Sequence, residues 1–257
     1  MQYNQSIIKK YGHEVIERVN NREPLENIEM DIVDNLLRSP NIYMIISGFN
    51  RSHRQSRNII ETVSHKGEYA IVVNLLDGNV NYSRNNKIYG ISISITNIKD
   101  FSQYSIIYDG LNSKIYELAS NKCIGLVRKD TLRTPHQNSR LVVGLGRLFN
   151  LSNNSLREIK NTSIRSLGST TISILEVLRM NMDIYINITK LWNIWWALGL
   201  CKTSDIFLED LYTSKLILDN YNEYLLTPEK TILIASYRDP KVKEQLHYVL
   251  DDINNAN

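Results

Sequence analysis

Residues 74–79 read Asn-Leu-Leu-Asp-Gly-Asn and follow an apolar run from Tyr69 to Val73. A carboxylate, a glycine and side-chain amides at a strand end put polar groups and free backbone N–H groups at one spot. Such a turn can hold a metal ion or a phosphate. Sites of this kind grip divalent cations with several carboxylates, and this turn supplies one, Asp77. Asp77 alone has a second reading, as a side chain that stabilises its own turn. Gly78 likewise has two: backbone geometry, or an N–H offered to an anion together with Asn79. Another cluster lies at Asn50 to Arg57, where Arg51, Arg54 and Arg57 accompany His53. It reads as a solvated loop or helix start, or as a basic patch for phosphate or an acidic partner. Its place just beyond a strand end, where ligands of α/β sheets sit, keeps the second reading open.

The elements that position these groups follow from periodicity. Ile7, Ile8, Tyr11, Val15, Ile16 and Val19 form an apolar stripe at helical spacing, and Leu25 to Leu37 repeats it beyond Pro24. After Pro40, Ile42 to Ile46 is a short buried strand stopping at Ser47-Gly48. Two amphipathic helices feeding a strand begin a layered arrangement. Strands are expected at 69–73, Ile88–Ile95, Tyr104–Tyr108, Lys114–Ala119 and Lys122–Arg128, and their alternation predicts antiparallel sheet. Beyond a loop at Pro135 to Asn138, a strand is expected at Leu141–Gly144 and a helix at Leu151–Ile159 capped by Ser152. A strand Thr162–Leu167, a helix Ile172–Met180 and a strand Met182–Ile186 follow, then an aromatic-rich helix Trp192–Leu200. Strands at Phe207–Leu211, Lys215–Leu218 and Thr231–Ala235 and a helix Pro240–Ile253 complete the pattern.

With 257 residues, 42% of them hydrophobic, the chain can bury a full core. A net charge of +3 does not by itself point to nucleic acid. The N-terminal stretch has no apolar signal segment. The most apolar run, Ile184 to Leu200, is interrupted by Asn187, Lys190 and Asn193, so no membrane span is expected. Cys123 and Cys201 stand in no metal-ligand spacing and read as reduced core thiols of a cytoplasmic protein. His13, His65, His136 and His247 are scattered and form no metal set, and Trp192, Trp195 and Trp196 read as core or dimer-interface residues in preference to a ligand cage.

The order of these elements and turns resembles the inositol monophosphatase family, which includes archaeal-type fructose bisphosphatases. That family follows an apolar strand with Asp-Pro-Ile-Asp-Gly-Thr or Ser, where this chain has Asn74-Leu75-Leu76-Asp77-Gly78-Asn79. Val80-Asn81-Tyr82 and Gly90 to Ser94 resemble its next segment and strand, and Tyr108 to Ala119 its hairpin. Arg165 to Thr170 resembles its Arg-X-X-Gly-Ser segment, Trp192-Asn193 its Trp-Asp pair, and Thr231 to Ser236 its final strand. The resemblance implies an α+β, layered α-β-α-β-α sugar-phosphatase-like fold with two sheets sandwiched by helices. Its two tightly packed halves would be 1–130 and 131–257.

The resemblance also implies hydrolysis of phosphate monoesters with Mg²⁺, and here the departures matter. The family's first carboxylate ligand falls at Ser47-Gly48-Phe49, its sheet aspartate at Asn74 and its late aspartate at Asn193. Asp77 is at most the one remaining metal ligand, and Asn79 stands where a Thr or Ser orients water. Losing three anionic ligands should abolish Mg²⁺ catalysis, because changes one shell further out already cost 10–100-fold in affinity. The expectation is therefore a non-catalytic binding protein without a cofactor, a homodimer by resemblance. It would hold an anion through Gly78, Asn79, Arg51, Arg54 and Arg57, or dock a protein or RNA on that face. The alternative is a residual Mg²⁺-dependent phosphatase acting on inositol phosphate or fructose bisphosphate, drawing on Glu29, Asp31 or Asp34.

Overall fold

In a computed structural model, the structure describes residues 2–38, 41–47, 59–62, 66–119, 122–124, 141–146, 162–201, 206–220, 224, 227 and 230–244. Helices α1 (Gln2–Asn20) and α2 (Leu25–Leu37) lead into β1 (Ile42–Ser47), β2 (Ile59–Thr62) and β3 (Tyr69–Asp77). A short α3 (Asn79–Ser83) precedes β4 (Gly90–Asn97), β5 (Gln103–Asp109), β6 (Lys114–Ala119) and β7 (Lys122–Ile124). The strands lie in the order β2-β1-β3-β4-β5-β6-β7, with β1 and β3 parallel and the other pairs antiparallel.

The second sheet uses β8 (Leu141–Leu145), β9 (Thr162–Arg165), β10 (Ile184–Lys190), β11 (Phe207–Asp210), β12 (Lys215–Leu216) and β13 (Thr231–Tyr237). Their order is β12-β11-β13-β10-β8-β9. Helix α4 (Thr170–Leu178) and a 3₁₀ segment (Leu191–Ala197) running into α5 (Leu198–Cys201) lie between the sheets. Helix α6 (Pro240–Glu244) packs Val242 on the outer face of the second sheet.

Residue periodicity explains this layering. Along β3, Ala70 and Val72 face the central layer of α4 and the tryptophans, while Ile71 and Val73 face α1 and α2. Along β13, Ile232 and Ile234 face that central layer, and Leu233 and Ala235 the outer one. The alternation therefore separates two apolar environments, and β4 and β5 are buried along nearly their whole length. The antiparallel pairing expected for this region is observed, and β4 and β5 carry no solvated face.

Several boundaries move. The strand expected from Ile88 begins at Gly90, that expected at Met182–Ile186 runs Ile184–Lys190, and β2 had not been anticipated. The helix expected at Trp192–Leu200 is 3₁₀ as far as Ala197, and a neighbouring side chain explains the change. Gln103 Nε2 donates to Trp195 O at 2.8 Å, and Gly199 N donates to Gln103 Oε1 at 2.5 Å. The amide thus stands between two backbone groups that an α-helix would join directly. Gly199 permits the approach, since a Cβ there would lie 2.6 Å from Gln103 Oε1. Trp195 and Trp196 are core residues. The helix expected at Leu151–Ile159, and the distal parts of Lys122–Arg128 and Pro240–Ile253, lie outside the described residues.

Candidate functional site

The C-terminal end of β3 sits beside the N-terminal end of α4, and a cavity of about 440 Å³ opens there. Asn74 and Asp77 are three residues apart, which on a regular strand would send them to opposite faces. The β3–β4 register shifts between them, from Asn74↔Ser92 to Asp77↔Gly90, placing one extra residue on β3. This bulge turns both side chains toward the cavity, where both are lining residues. Gly78 follows with φ +96°, and a Cβ would stand 2.8 Å from Ile88 O. The glycine is required by backbone geometry.

Asp77 Oδ2 accepts from the Ser169 hydroxyl at 2.9 Å and from the Thr171 backbone N–H at 2.5 Å. Ser169 also caps α4, its Oγ accepting from Ile172 N at 3.2 Å. One carboxyl thus joins the first sheet to the start of α4. Withdrawal from water pushes the Asp77 carboxyl above the usual range, against the lowering effect of the Thr171 and Ser169 donors. Asn81 strengthens the same join, donating to Ile88 O at 2.9 Å and Leu167 O at 2.7 Å.

The amides form their own chain. Asn74 Nδ2 donates to Asn193 Oδ1 at 3.3 Å, and Asn193 Nδ2 donates to Thr189 Oγ1 at 3.0 Å. Asn74 is only 1% exposed. Asn187 Nδ2 donates to Thr170 Oγ1 at 3.0 Å, and the carboxamide rests on Gly146, where a Cβ would come 2.0 Å from its Oδ1. Lys190 closes the set, its Nζ 4.4 Å from the centre of the Trp192 ring.

Sequence reasoning found Asn74, Asp77, Gly78, Asn79 and Asn193, and the structure brings all five to this cavity. Gly48, Arg51, Arg54 and Arg57 lie outside the described residues. Sequence reasoning missed Ser169, Thr170, Tyr185, Asn187, Thr189 and Lys190, which also line the cavity. A usable signal was the polar alternation Tyr185, Asn187, Thr189 on one face of β10, between Ile184, Ile186 and Ile188.

The donor set does not fit a Mg²⁺ site. Among the described lining residues Asp77 is the one carboxylate and Lys190 the one cation. No group of three or more His, Cys, Asp or Glu gathers anywhere among the described residues. Hard Mg²⁺ takes oxygen ligands, here mostly neutral amide and hydroxyl oxygens, several already hydrogen-bonded to one another. The helix carboxylates invoked for residual catalysis do not line the cavity. Glu29 accepts from Ser47 Oγ at 2.5 Å, and Asp31 pairs with Arg18 at 2.7 Å.

Two helix-flanked sheets, with a cavity where a strand end meets a helix start, define a layered sugar-phosphatase-like architecture. The fold is that of the inositol monophosphatases. The Thermotoga maritima IMPase superposes with a TM-score of 0.65 at 14% identity, covering 100% of this chain and 98% of the other. A staphylococcal inositol monophosphatase-1 gives 0.65 at 11%, covering 96% and 92%. The extragenic suppressor protein suhB of Bartonella henselae gives 0.61 at 13%, covering 95% of each chain. No family model and no curated protein matches the sequence.

Proposed function

We propose that this chain is a non-catalytic binding protein on the inositol monophosphatase fold, whose cavity takes a small polar, anionic ligand without a metal ion. The observation that carries the reading is the hydrogen bonding of the amides. Asn74 and Asn193, which stand where the resemblance implies carboxylates, bond to each other and to Thr189. Asp77 Oδ2 meanwhile takes both Ser169 and Thr171, so its carboxyl holds the fold together. A phosphatase of this architecture needs ions to bridge the phosphate and activate water, and the described lining residues supply little negative charge to hold them.

The test is calorimetric titration of Mg²⁺ and Mn²⁺ into the full chain, with phosphate release from inositol monophosphate and fructose bisphosphate followed in parallel. Millimolar or weaker metal binding and no turnover are expected. Tight metal binding with turnover would return the chain to the Mg²⁺-dependent phosphatases.

A further inference from the structure

The charge lining this cavity narrows the class of ligand, an inference that rests on the metal-free reading above. Lys190 ends β10 at the cavity, with its ammonium over the ring of the buried Trp192. Among the described residues that ammonium pairs with no carboxylate, whereas Asp77 is already held by Ser169 and Thr171. The aromatic face restrains the charge at the cavity instead of leaving it to sweep through solvent. Asn187 and Asn193 add carboxamides, which both donate and accept and therefore match hydroxyl groups, which do the same. Among the described lining residues, this single cation balances a single negative charge. A second would be drawn out of water with no partner, in a cavity that already contains Asp77.

We propose that the cavity binds a polyhydroxylated monoanion of the sugar-acid type, with the ligand's carboxylate on Lys190 and its hydroxyls on Asn187 and Asn193. It takes such a ligand in preference to a phosphate-monoester dianion. The anchoring charge comes from a side chain, so binding needs no metal.

Calorimetric titration of the full chain in EDTA, with D-gluconate, glucose 6-phosphate and neutral myo-inositol as probes, tests this. Gluconate should bind about 10-fold more tightly than the phosphate ester. Lys190→Met should weaken gluconate roughly 10–100-fold, as expected for loss of a charge-assisted contact. Lys190→Arg should retain most of the affinity, and myo-inositol should not distinguish Lys190→Met from the parent. Failure of the parent to bind gluconate, equal gluconate affinity in the parent and Lys190→Met, or preference for the phosphate ester in EDTA would overturn the sugar-acid assignment while leaving the metal-free reading in place. Phosphate-ester binding that appears only when Mg²⁺ replaces EDTA would overturn both.

Discussion

The two ends of helix α4 face opposite electrostatic problems. At its C-terminal end, Arg179 bonds Glu176 and the Tyr116 hydroxyl, each at 2.7 Å, and pairs with Asp109. Asp109 is 0% exposed and also accepts from the backbone and side chain of Asn112. At the N-terminal end, the described lining side chains other than Asp77 and Lys190 are uncharged. The chain therefore supports a dense buried ion cluster where charges brace the hairpin turn against the helix. It provides amides where a dication would need carboxylates. A cavity lined mostly by amides and hydroxyls does not mean a chain poor in buried charge.

The contrast can be broken at either end. The largest effect is expected from Arg179→Met, which leaves Asp109 buried without its cation and should cost about 3–5 kcal/mol. Urea unfolding would measure it, and adding Asp109→Asn should recover part of the loss. Next comes Asp77→Ala, which leaves the Thr171 N–H and the Ser169 hydroxyl without their acceptor, at about 1–3 kcal/mol.

The combined change Asn74→Asp and Asn193→Asp would give the N-terminal end a carboxylate set. Mg²⁺ should then raise the melting temperature, by a stabilisation on the order of 1–2 kcal/mol at concentrations ten to thirty times the dissociation constant. The parent should not respond. An unresponsive double variant would mean that more than these two charges separates the cavity from a metal site.

The smallest effect belongs to Asp77→Asn, which keeps an acceptor and should stay within about 1 kcal/mol. Its sign should depend on pH. The folded-state pKa of Asp77 is raised, so the stability it contributes is full below the ordinary carboxylate value of about 3.9 and is lost as pH rises through the raised value. The asparagine variant has no such proton to lose. Its urea midpoint should gain on the parent between acid and neutral pH.

Much of the scaffold was legible because it rests on periodicity. Helix α2 and strand β6 begin and end where the apolar spacing and turn residues placed them, at Leu25–Leu37 and Lys114–Ala119. The 3₁₀ segment was not legible, because the amide that reshapes it, Gln103, is 92 residues away from Trp195. Half of the cavity escaped for a different reason. Asn187 and Lys190 read, with Asn193, as interruptions of an apolar run and so as an argument against a membrane span. Only the pairing of β10 with β13 carries the strand on to Lys190 and makes them one wall of a cavity. That amides stand where the resemblance implies carboxylates was readable from type alone. What the amides do with their hydrogen bonds needed coordinates.

The reach of Asp77 also bears on how the chain is made. Its partners Ser169 and Thr171 lie 92 and 94 residues downstream. During synthesis the first sheet is largely translated while that carboxyl still faces water and keeps its proton only in acid. Closing so long a loop carries an entropic cost that grows slowly with length. The contact should therefore form late, after α4 has emerged and docked. A ribosome stalled before residue 169 would display a nascent chain in which Asp77 lacks both of these partners.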